Sequence, residues 1–140
     1  MSETLQPDSS PTYPMQVAVG IDLIEVDRIA ASLTRFGTRF LQRVYTEAEQ
    51  AIIGTNVVRL AGRFAVKEAC AKALGTGIDG PRWHEIECLR DTAGKPRLVL
   101  HGQALLVAQQ AQWASIDVSI STTRHYCTAV VVALRQSTGE

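Results

Sequence analysis

Apolar and polar residues follow two different periods along this chain of 140 residues. Residues 16–23 (QVAVGIDL) alternate and then run apolar, a pattern typical of a β-strand. From Val26 to Tyr45 the apolar positions recur at helical spacing, which predicts a long helix. A further helix is predicted from Thr46, because Thr46 and Glu49 form a Thr-x-x-Glu capping box. The first part of the chain therefore predicts one strand followed by helices.

The segment Arg59–Gly77 predicts a central helix that ends near Leu74 in a glycine turn. Counted at about 100° per residue, its apolar positions share one narrow face: Leu60, Phe64, Ala71 and Leu74. Lys67 falls in the middle of that face, so its ammonium group must either meet an anionic group or extend to solvent. Glu68 and Lys72 lie four residues apart on a neighbouring face, where they form either an ordinary surface pair or part of a site.

The second half of the chain predicts two hairpins that flank a helix. The predicted elements are a strand at 83–90, a strand at 95–100, a helix at 102–113, and strands at 116–121 and 126–134. Pro96 stands at the start of its strand, where a missing N–H is tolerated. The predicted fold class is therefore α+β.

Composition limits the classes of function. The length suits one domain, and Lys plus Arg and Asp plus Glu both number 14, so no overall charge favours nucleic acid. The three cysteines and three histidines are scattered without metal-ligand spacing. We therefore predict that Cys70, Cys88 and Cys127 are reduced and mostly buried, and that electrostatic recognition is local.

The chain ends differ from the middle in composition. Residues 1–15 are polar and proline-containing, without the apolar core of a signal peptide, and predict a disordered leader. No apolar run is long enough to span a membrane. We expect a cytoplasmic protein with one domain at residues 16–135 and a tail at 136–140.

Two polar features precede the central helix. Asp22 stands at the end of the first predicted strand, where it could line a site or merely cap the following helix. Four arginines recur at spacings of seven, four and four on one predicted helix face: Arg28, Arg35, Arg39 and Arg43. This basic stripe is either a solvated helix face or a docking surface for an acidic partner.

Several segments together resemble a known family. They are GIDLIEVDRI at 20–29, RFAVKEACAKALGTGI at 63–78, GKPRLVLHGQA at 94–104 and VSISTT at 118–123. They resemble the holo-acyl-carrier-protein synthases, the short single-domain group of 4′-phosphopantetheinyl transferases, and the likeness extends from Val17 to Leu134. It implies the fold of that family, a small antiparallel sheet packed against a long central helix. It also implies a homotrimer with active sites at subunit interfaces.

The resemblance also implies a reaction. The phosphopantetheine arm of coenzyme A would be transferred to a serine of apo acyl carrier protein, releasing 3′,5′-ADP in fatty acid biosynthesis. Asp22 and Glu68 would hold Mg²⁺, a cation that takes one or two carboxylates together with substrate phosphates. Glu68 could orient or deprotonate the serine, and Lys72 would bind the diphosphate, with a shared part in proton transfer. The expected catalytic residues are Glu68, Lys72 and Asp22.

Further roles follow from the same resemblance. The expected coenzyme A contacts are Arg63, Lys67, Lys72, Gly75, Gly77, Lys95, Pro96 and Thr122. Arg63 and Lys67 would serve phosphates, Gly75 and Gly77 would let the backbone approach the cofactor, and Lys95 with Pro96 would contact the nucleotide. The acidic carrier protein would be held by Arg28 and Arg35, assisted by Arg39.

One position departs from the family pattern. The family usually reads Ser-x-Ser-His-Thr before its last strand, and this chain has Thr122 where histidine is expected. His125 follows three residues later, on the opposite face if the strand stays straight. We expect activity to survive, because Asp22, Glu68 and Lys72 remain. The alternative hypothesis is a non-catalytic paralogue that binds coenzyme A or a carrier protein.

Overall fold

The computed structural model describes residues 15–75 and 80–136. Within these ranges five β-strands, five α-helices and one 3-10 helix follow one another along the chain. They are β1 (Met15–Glu25), α1 (Val26–Phe36), α2 (Thr38–Val44), α3 (Glu47–Ile53), α4 (Val57–Leu74), the 3-10 helix Gly80–Glu85, β2 (Ile86–Arg90), β3 (Pro96–Leu100), α5 (Gly102–Gln110), β4 (Trp113–Thr122) and β5 (Tyr126–Gln136). Of the predicted leader, residues 1–14 lie outside the described residues, as do 137–140 of the tail.

The strands form two antiparallel sheets. One has three strands in the order β1-β5-β4, and the other is the hairpin of β2 and β3. Asp22 of β1 pairs with Ala129 of β5, and Thr122 of β4 shares its β5 partner Cys127 with Ile24. Helix α4 packs against β1 and β5. The prediction of a small antiparallel sheet packed against a long central helix is confirmed.

The two faces of the three-stranded sheet differ in what covers them. Side chains alternate along a strand, so Gly20, Asp22 and Ile24 of β1 share the inner face, the one that α4 covers. The opposite side, here called the outer face, carries apolar side chains of β1 that are between 60% and 65% exposed, together with two less exposed residues of β5. These are Val17, Val19, Ile21, Leu23, Val132 and Leu134.

Gly20 sets the spacing between β1 and α4. A Cβ atom at this position would overlap the carbonyl oxygen of Ala69 and lie 2.7 Å from the amide nitrogen of Ala73. Backbone atoms cannot move aside as a flexible side chain can, so only glycine allows the strand and the helix to approach this closely. The close approach brings Asp22, two residues further along β1, to the side of α4.

The predicted helix from Val26 to Tyr45 is wrong in one respect, because it is broken. Gly37 has φ 55° and ψ −130°, a conformation that side chains disfavour, and it separates α1 from α2.

The predicted helix ends at Thr46 and Gly75 are confirmed. Thr46 Oγ1 accepts from the Glu49 amide, and the Glu49 carboxylate accepts from the Thr46 amide. Gly75 ends α4 in a left-handed conformation with φ 77°.

The other boundaries shift for local reasons. The predicted strand at 83–90 begins only at Ile86, because Gly80–Glu85 is a 3-10 helix. The helix predicted to Trp113 ends at Gln110, and Trp113 instead starts β4. Asp22 is not at the end of its strand, since β1 continues to Glu25. Met15 and Gln136, assigned to the predicted leader and tail, belong to β1 and β5.

The core surrounds α4 on nearly every side. Eleven of its residues are buried, so the single narrow apolar face predicted from spacing underestimates its burial. The three cysteines are free and buried, as predicted. Burial raises the pKa of Cys70 to about 12 and that of Cys88 to about 11, which keeps these thiols protonated and unreactive at neutral pH.

Candidate active site

Asp22, Glu68 and Lys72 come together where β1 passes α4. Lys72 Nζ donates to Asp22 Oδ1 at 3.2 Å and to the carbonyl oxygen of Ile21 at 3.0 Å. The Lys72 side chain is largely exposed, whereas that of Asp22 is only 18% exposed. The structure thus brings together two residues that are far apart in the chain, and Lys72 pairs with Asp22 rather than with Glu68 in the residues described.

Glu68 completes this cluster electrostatically. Burial raises the pKa of its carboxyl, and the nearby charge of Asp22 raises it further. Lys72 and Arg28 act in the opposite direction and lower the pKa of the same carboxyl. Two carboxylates therefore lie close together, with one lysine and one arginine near them. Such a pair of anions attracts a cation, and its raised pKa makes Glu68 a better proton acceptor than an isolated glutamate.

The metal-binding capacity of the cluster is limited to two carboxylates. In residues 15–75 and 80–136 there is no group of three or more His, Cys, Asp and Glu side chains that could enclose a metal. Asp22 and Glu68 could hold a cation only if water or a bound molecule supplied the remaining ligands. This donor set suits a hard cation that keeps part of its hydration shell.

Lys67 does not fit its predicted role in phosphate binding. Its side chain is 0% exposed, and its Nζ donates to Glu49 Oε1 at 2.7 Å, to the Ile86 carbonyl at 2.6 Å and to the Trp83 carbonyl at 3.0 Å. An ammonium group has three N–H donors, so all of them are used inside the core. The alternative that Lys67 extends to solvent is equally wrong. Glu49 is the anionic partner that the position of Lys67 on the apolar face predicts.

Arg63 also lies away from the cluster. It lies five positions before Glu68, which places it about 140° around the helix axis from that residue. It is 9% exposed, and its buried Nε has no hydrogen-bond partner. Burial raises the pKa of Tyr45 and of Cys88, and the positive charge of Arg63 partly opposes both increases, so its neighbours lie on the α2–β2 side of the helix. The structure does not bring Arg63 to Asp22.

Lys95 and Pro96 line a cavity on the other side of the three-stranded sheet. The cavity has a volume of about 430 Å³, and it also contacts Asp117, Ser119 and residues of β5. Lys95 Nζ bonds to Asp117 Oδ1 at 2.8 Å and Oδ2 at 3.0 Å. Asp117 alternates with the inward-facing Val118, so it points to the outer face. The sheet therefore separates Lys95 from Asp22 within one chain.

The remaining predicted contacts are dispersed. Gly75 lies less than one helical turn beyond Lys72, near the cluster, and Gly77 is outside the described residues. Thr122 ends β4 and is exposed, on the same sheet face as Ile24, two strands from β1. His125 belongs to the turn after β4, where its carbonyl accepts from the Val26 amide at 2.8 Å.

The predicted arginine stripe divides into separate groups because Gly37 breaks the helix. Arg28 lies near Glu68, and the Arg35 guanidinium lies over the Phe36 ring, 5.1 Å from its centroid. Arg39 and Arg43 instead line a cavity of about 330 Å³ between α1, α2, α4 and the 3-10 helix. The other lining residues are Ser32, Phe36, Phe40, Val44, Phe64 and Trp83.

This basic and aromatic cavity was missed by sequence reasoning. Arg43 belonged to the stripe but was given no role, and Trp83 was placed on a strand. The available signal was the exposed Phe36 beside the arginines, since 47% of this large apolar residue faces solvent. The walls of the cavity come from four elements, so no local sequence pattern marks them as neighbours.

Comparison with known proteins identifies the family and the fold. The family model for the 4′-phosphopantetheinyl transferase superfamily matches residues 18–131. The holo-[acyl-carrier-protein] synthase of Solidesulfovibrio magneticus is 52% identical over 116 residues, covering 81% of this chain and 94% of that protein.

Two solved structures have the same fold. The holo-[acyl-carrier-protein] synthase of Helicobacter pylori, in complex with coenzyme A, has a TM-score of 0.73 at 30% identity and covers 82% of this chain and 98% of its own. That of Bacillus anthracis, in complex with CoA (3′,5′-ADP), has a TM-score of 0.70 at 34% identity, with 87% and 99% covered.

The chain therefore belongs to the 4′-phosphopantetheinyl transferase superfamily. Within that superfamily its relatives are holo-[acyl-carrier-protein] synthases, and the chain is an enzyme of that group. The resemblance read from the GID, KEA and GKP segments is confirmed. In the described ranges, no helix combines the length and apolar character needed to span a membrane.

Proposed function

We propose that this enzyme transfers the 4′-phosphopantetheine group of coenzyme A to a serine of an apo acyl carrier protein, with release of 3′,5′-ADP, as a cytoplasmic step of fatty acid biosynthesis. The observation that carries the proposal is the meeting of Asp22, Glu68 and Lys72 at one point of the fold. The coenzyme A and 3′,5′-ADP complexes of the related enzymes support the identity of the donor and the product.

The residues of this cluster fit Mg²⁺. Burial raises the pKa of Glu68 and repulsion from Asp22 raises it further, and a cation bound by the two carboxylates would relieve that repulsion. Two carboxylates without a third protein ligand match a cation that keeps several waters and binds substrate phosphates. When bound, Mg²⁺ would neutralise the diphosphate and stabilise the charge that develops at phosphorus.

Glu68 is proposed to take the proton of the attacking serine. The serine Oγ forms a bond to the phosphorus that carries the pantetheine arm, and the bond from that phosphorus to the bridging oxygen breaks. The bridging oxygen leaves with 3′,5′-ADP, and the serine proton goes to the Glu68 carboxylate. Burial and Asp22 raise the pKa of Glu68 toward the working pH, which makes it a better proton acceptor than an exposed glutamate.

Lys72 is proposed to bind the diphosphate. Its ammonium group is anchored to Asp22 and to the Ile21 carbonyl, yet more than half of the side chain is exposed to an incoming ligand. A positive charge held beside the leaving diphosphate stabilises the charge that accumulates there. Thr122, with a hydroxyl in place of an imidazole, would contribute less binding energy to the coenzyme A phosphates.

The outer face supports a homotrimer with sites at subunit interfaces. Contiguous exposed apolar side chains of β1 and β5 are unusual for a surface that meets only water. Lys95 and Pro96 border this face, whereas Asp22 faces α4. The predicted nucleotide contacts and the predicted metal ligand therefore cannot meet in one active site within a single chain. Association through the outer face would place the Lys95 side of one subunit near the Asp22 side of another.

The carrier protein is proposed to dock at the cavity between α1, α2 and α4. Apolar walls from Phe36, Phe64 and Trp83 under a basic rim suit an acidic amphipathic helix, which inserts an apolar side chain and places carboxylates near the arginines. Arg39 and Arg43 line the cavity, and Arg35 is held beside it on Phe36.

The test measures transfer directly. The protein is incubated with coenzyme A, Mg²⁺ and an apo carrier, and the carrier is weighed intact. The expected result is a mass increase of one phosphopantetheine group, which is lost with Glu68→Gln, with Asp22→Ala or after chelation of Mg²⁺. Glu47→Gln, which changes an exposed carboxylate of α3, is the matched control and should retain activity. Absence of any mass increase with a panel of carriers would refute the proposal.

A further inference from the structure

Lys67 does not line the cavity assigned to the carrier, but it contacts Trp83, which forms one wall, and Tyr45, which packs on another wall. Its ammonium group donates to the carbonyl oxygens of Trp83 and Ile86, which flank the end of the 3-10 helix. Trp83 is a cavity wall, and its indole packs on Phe64 with ring centroids 5.2 Å apart. Phe64 itself lies one helical turn before Lys67 on α4.

Lys67 is also connected, through Tyr45, to a second wall of the carrier-binding cavity. Lys67 Nζ lies 5.7 Å from the centroid of the Tyr45 ring, and that ring meets Phe40 edge-on at 5.8 Å. The Tyr45 hydroxyl is fixed by donation to the Leu60 carbonyl at 2.7 Å. Phe40 lines the same cavity as Trp83. Three aromatic walls from α2, α4 and the 3-10 helix are therefore linked, directly or through one neighbouring ring, to one buried ammonium group.

Glu49 holds that ammonium group in place. Its Oε1 accepts from the Thr46 amide at 2.9 Å as well as from Lys67, and its Oε2 accepts from the Cys88 amide at 3.0 Å. The carboxylate thus joins α3 to β2, and Lys67 joins both to α4. An apolar side chain at position 67 could fill the space but could not satisfy the carbonyls of Trp83 and Ile86.

The energetics favour a role in geometry over one in stability. Charges removed from water lose solvation that their mutual attraction only partly restores, and buried ion pairs are often replaceable by apolar residues without loss of stability. A buried pair with every donor used does, however, restrict the backbone it binds to one arrangement. Lys67 binds the backbone carbonyl of Trp83, so the buried pair restricts the position of this cavity wall.

We propose that the Lys67–Glu49 pair is a positioning element of the carrier-binding cavity, which holds Trp83, Phe64 and Phe40 in the arrangement that receives the carrier. Lys67 touches neither substrate, and it acts through these aromatic residues. The identification of the carrier as the molecule bound in the cavity rests on the proposed function. The fixation of Trp83 by the Lys67–Glu49 pair does not depend on it.

The test compares two variants of the full-length protein. In the double variant Lys67→Met/Glu49→Gln both charges are removed, and Gln keeps an oxygen for the Thr46 amide. We expect the apparent KM for the carrier to rise about tenfold, equivalent to ~1.4 kcal/mol of lost binding, while the KM for coenzyme A stays unchanged. Val66→Ala, a buried change on the same helix without a polar tie to Trp83, is the control for general destabilisation and should leave both constants unchanged.

A spectroscopic measurement separates this inference from the proposed function. The chain has two tryptophans, so Trp113→Phe leaves Trp83 as the only emitter. In that background the double variant should increase acrylamide quenching and lower the fluorescence anisotropy of Trp83, whether or not any carrier is a substrate. Failure of the unsubstituted protein to transfer would refute the proposed function, while unchanged Trp83 emission in the double variant would refute the positioning role.

Other outcomes also test the positioning role of the Lys67–Glu49 pair. Parallel increases in both KM values, or a carrier KM equally raised by Val66→Ala, would overturn the inference. If the double variant does not fold, Trp83→Leu removes the wall and leaves the buried pair intact. It must then raise the KM for the carrier alone, and an unchanged carrier KM would show that the cavity wall has no part in docking.

Discussion

Gly20 is the residue on which the position of Asp22 depends most directly. We expect Gly20→Ala to lower the free energy of unfolding by about 1–3 kcal/mol or more, because the new methyl group would overlap backbone atoms of α4 that cannot rotate away. Strand and helix must separate to relieve the overlap, and transfer activity should fall as Asp22 moves from Lys72. Urea unfolding and the transfer assay measure the two effects.

Gly62 of α4 offers a matched control. A Cβ atom there would lie 3.3 Å from Cγ2 of Ile120, a side-chain atom that can shift. Alanine also gains about 1 kcal/mol over glycine in a helix interior, so Gly62→Ala should be nearly neutral. Equal destabilisation by the two substitutions would contradict the steric account of Gly20.

Individual site residues were predictable to different degrees. Asp22, Glu68 and Lys72 were recognised from the order of the GID and KEA segments, and the structure brings their side chains close to one another. Lys67 was assigned wrongly, because helical periodicity gives the direction of a side chain but does not identify its neighbour. Its partner Glu49 is on α3, in a capping box that looks like an ordinary solvent-exposed helix start.

The arginines of α1 and α2 form two groups, one at the aromatic cavity and one near Glu68, that should respond differently to substitution. Arg35→Glu and Arg39→Glu should raise the apparent KM for the carrier and weaken its dependence on salt, because both positions lie at or beside the aromatic cavity. The KM for coenzyme A should stay within about twofold of the unsubstituted enzyme. Steady-state kinetics at several salt concentrations provide the measurement.

Arg28 is the comparison within the same series. It lies near Glu68, so Arg28→Glu should raise the pKa of Glu68 further and lower kcat in addition to any effect on carrier binding. If Arg28→Glu and Arg39→Glu gave the same pattern of kcat and KM, the separation of Arg28 from the arginines at the aromatic cavity would have no functional meaning.

Element types were easier to predict than element ends. The capping box of α3, the glycine end of α4 and both hairpins followed from local chemistry that acts within a few residues. The break at Gly37 was hidden because apolar spacing continues across it. The 3-10 helix was read as a strand because Trp83, Glu85 and Glu87 alternate. Its backbone is held by residues of other elements, including Lys67 of α4 and His101, and local sequence does not show these contacts.

Assembly of the whole molecule can be tested through its outer face. Ile21→Glu places a charge in the centre of the apolar patch without touching Asp22, whose side chain points to the opposite side of the sheet. If the protein forms the proposed trimer, we expect this variant to be monomeric, as measured by light scattering after gel filtration. Transfer activity should fall with it, because each site would lose the part supplied by a neighbour.

Leu106→Glu controls for the loss of an exposed apolar residue. Leu106 is 50% exposed on α5, away from the outer face, and its replacement should not alter the molar mass. A monomeric starting protein, or full activity of a monomeric Ile21→Glu variant, would argue against sites shared between subunits. The sequence contained a sign of this surface, since apolar residues occupy both alternating sets of positions in β1.

The alternation of β1 also limits how this chain can change over evolutionary time. Substitutions in the strand alter one face at a time, and either face can adapt separately. An insertion or deletion of a single residue between Met15 and Gly20 would exchange the two faces upstream of that point, while one between Gly20 and Asp22 would turn the carboxylate away from α4. Length variation should therefore be excluded from this strand among functional descendants and confined to connections such as the turn between β2 and β3.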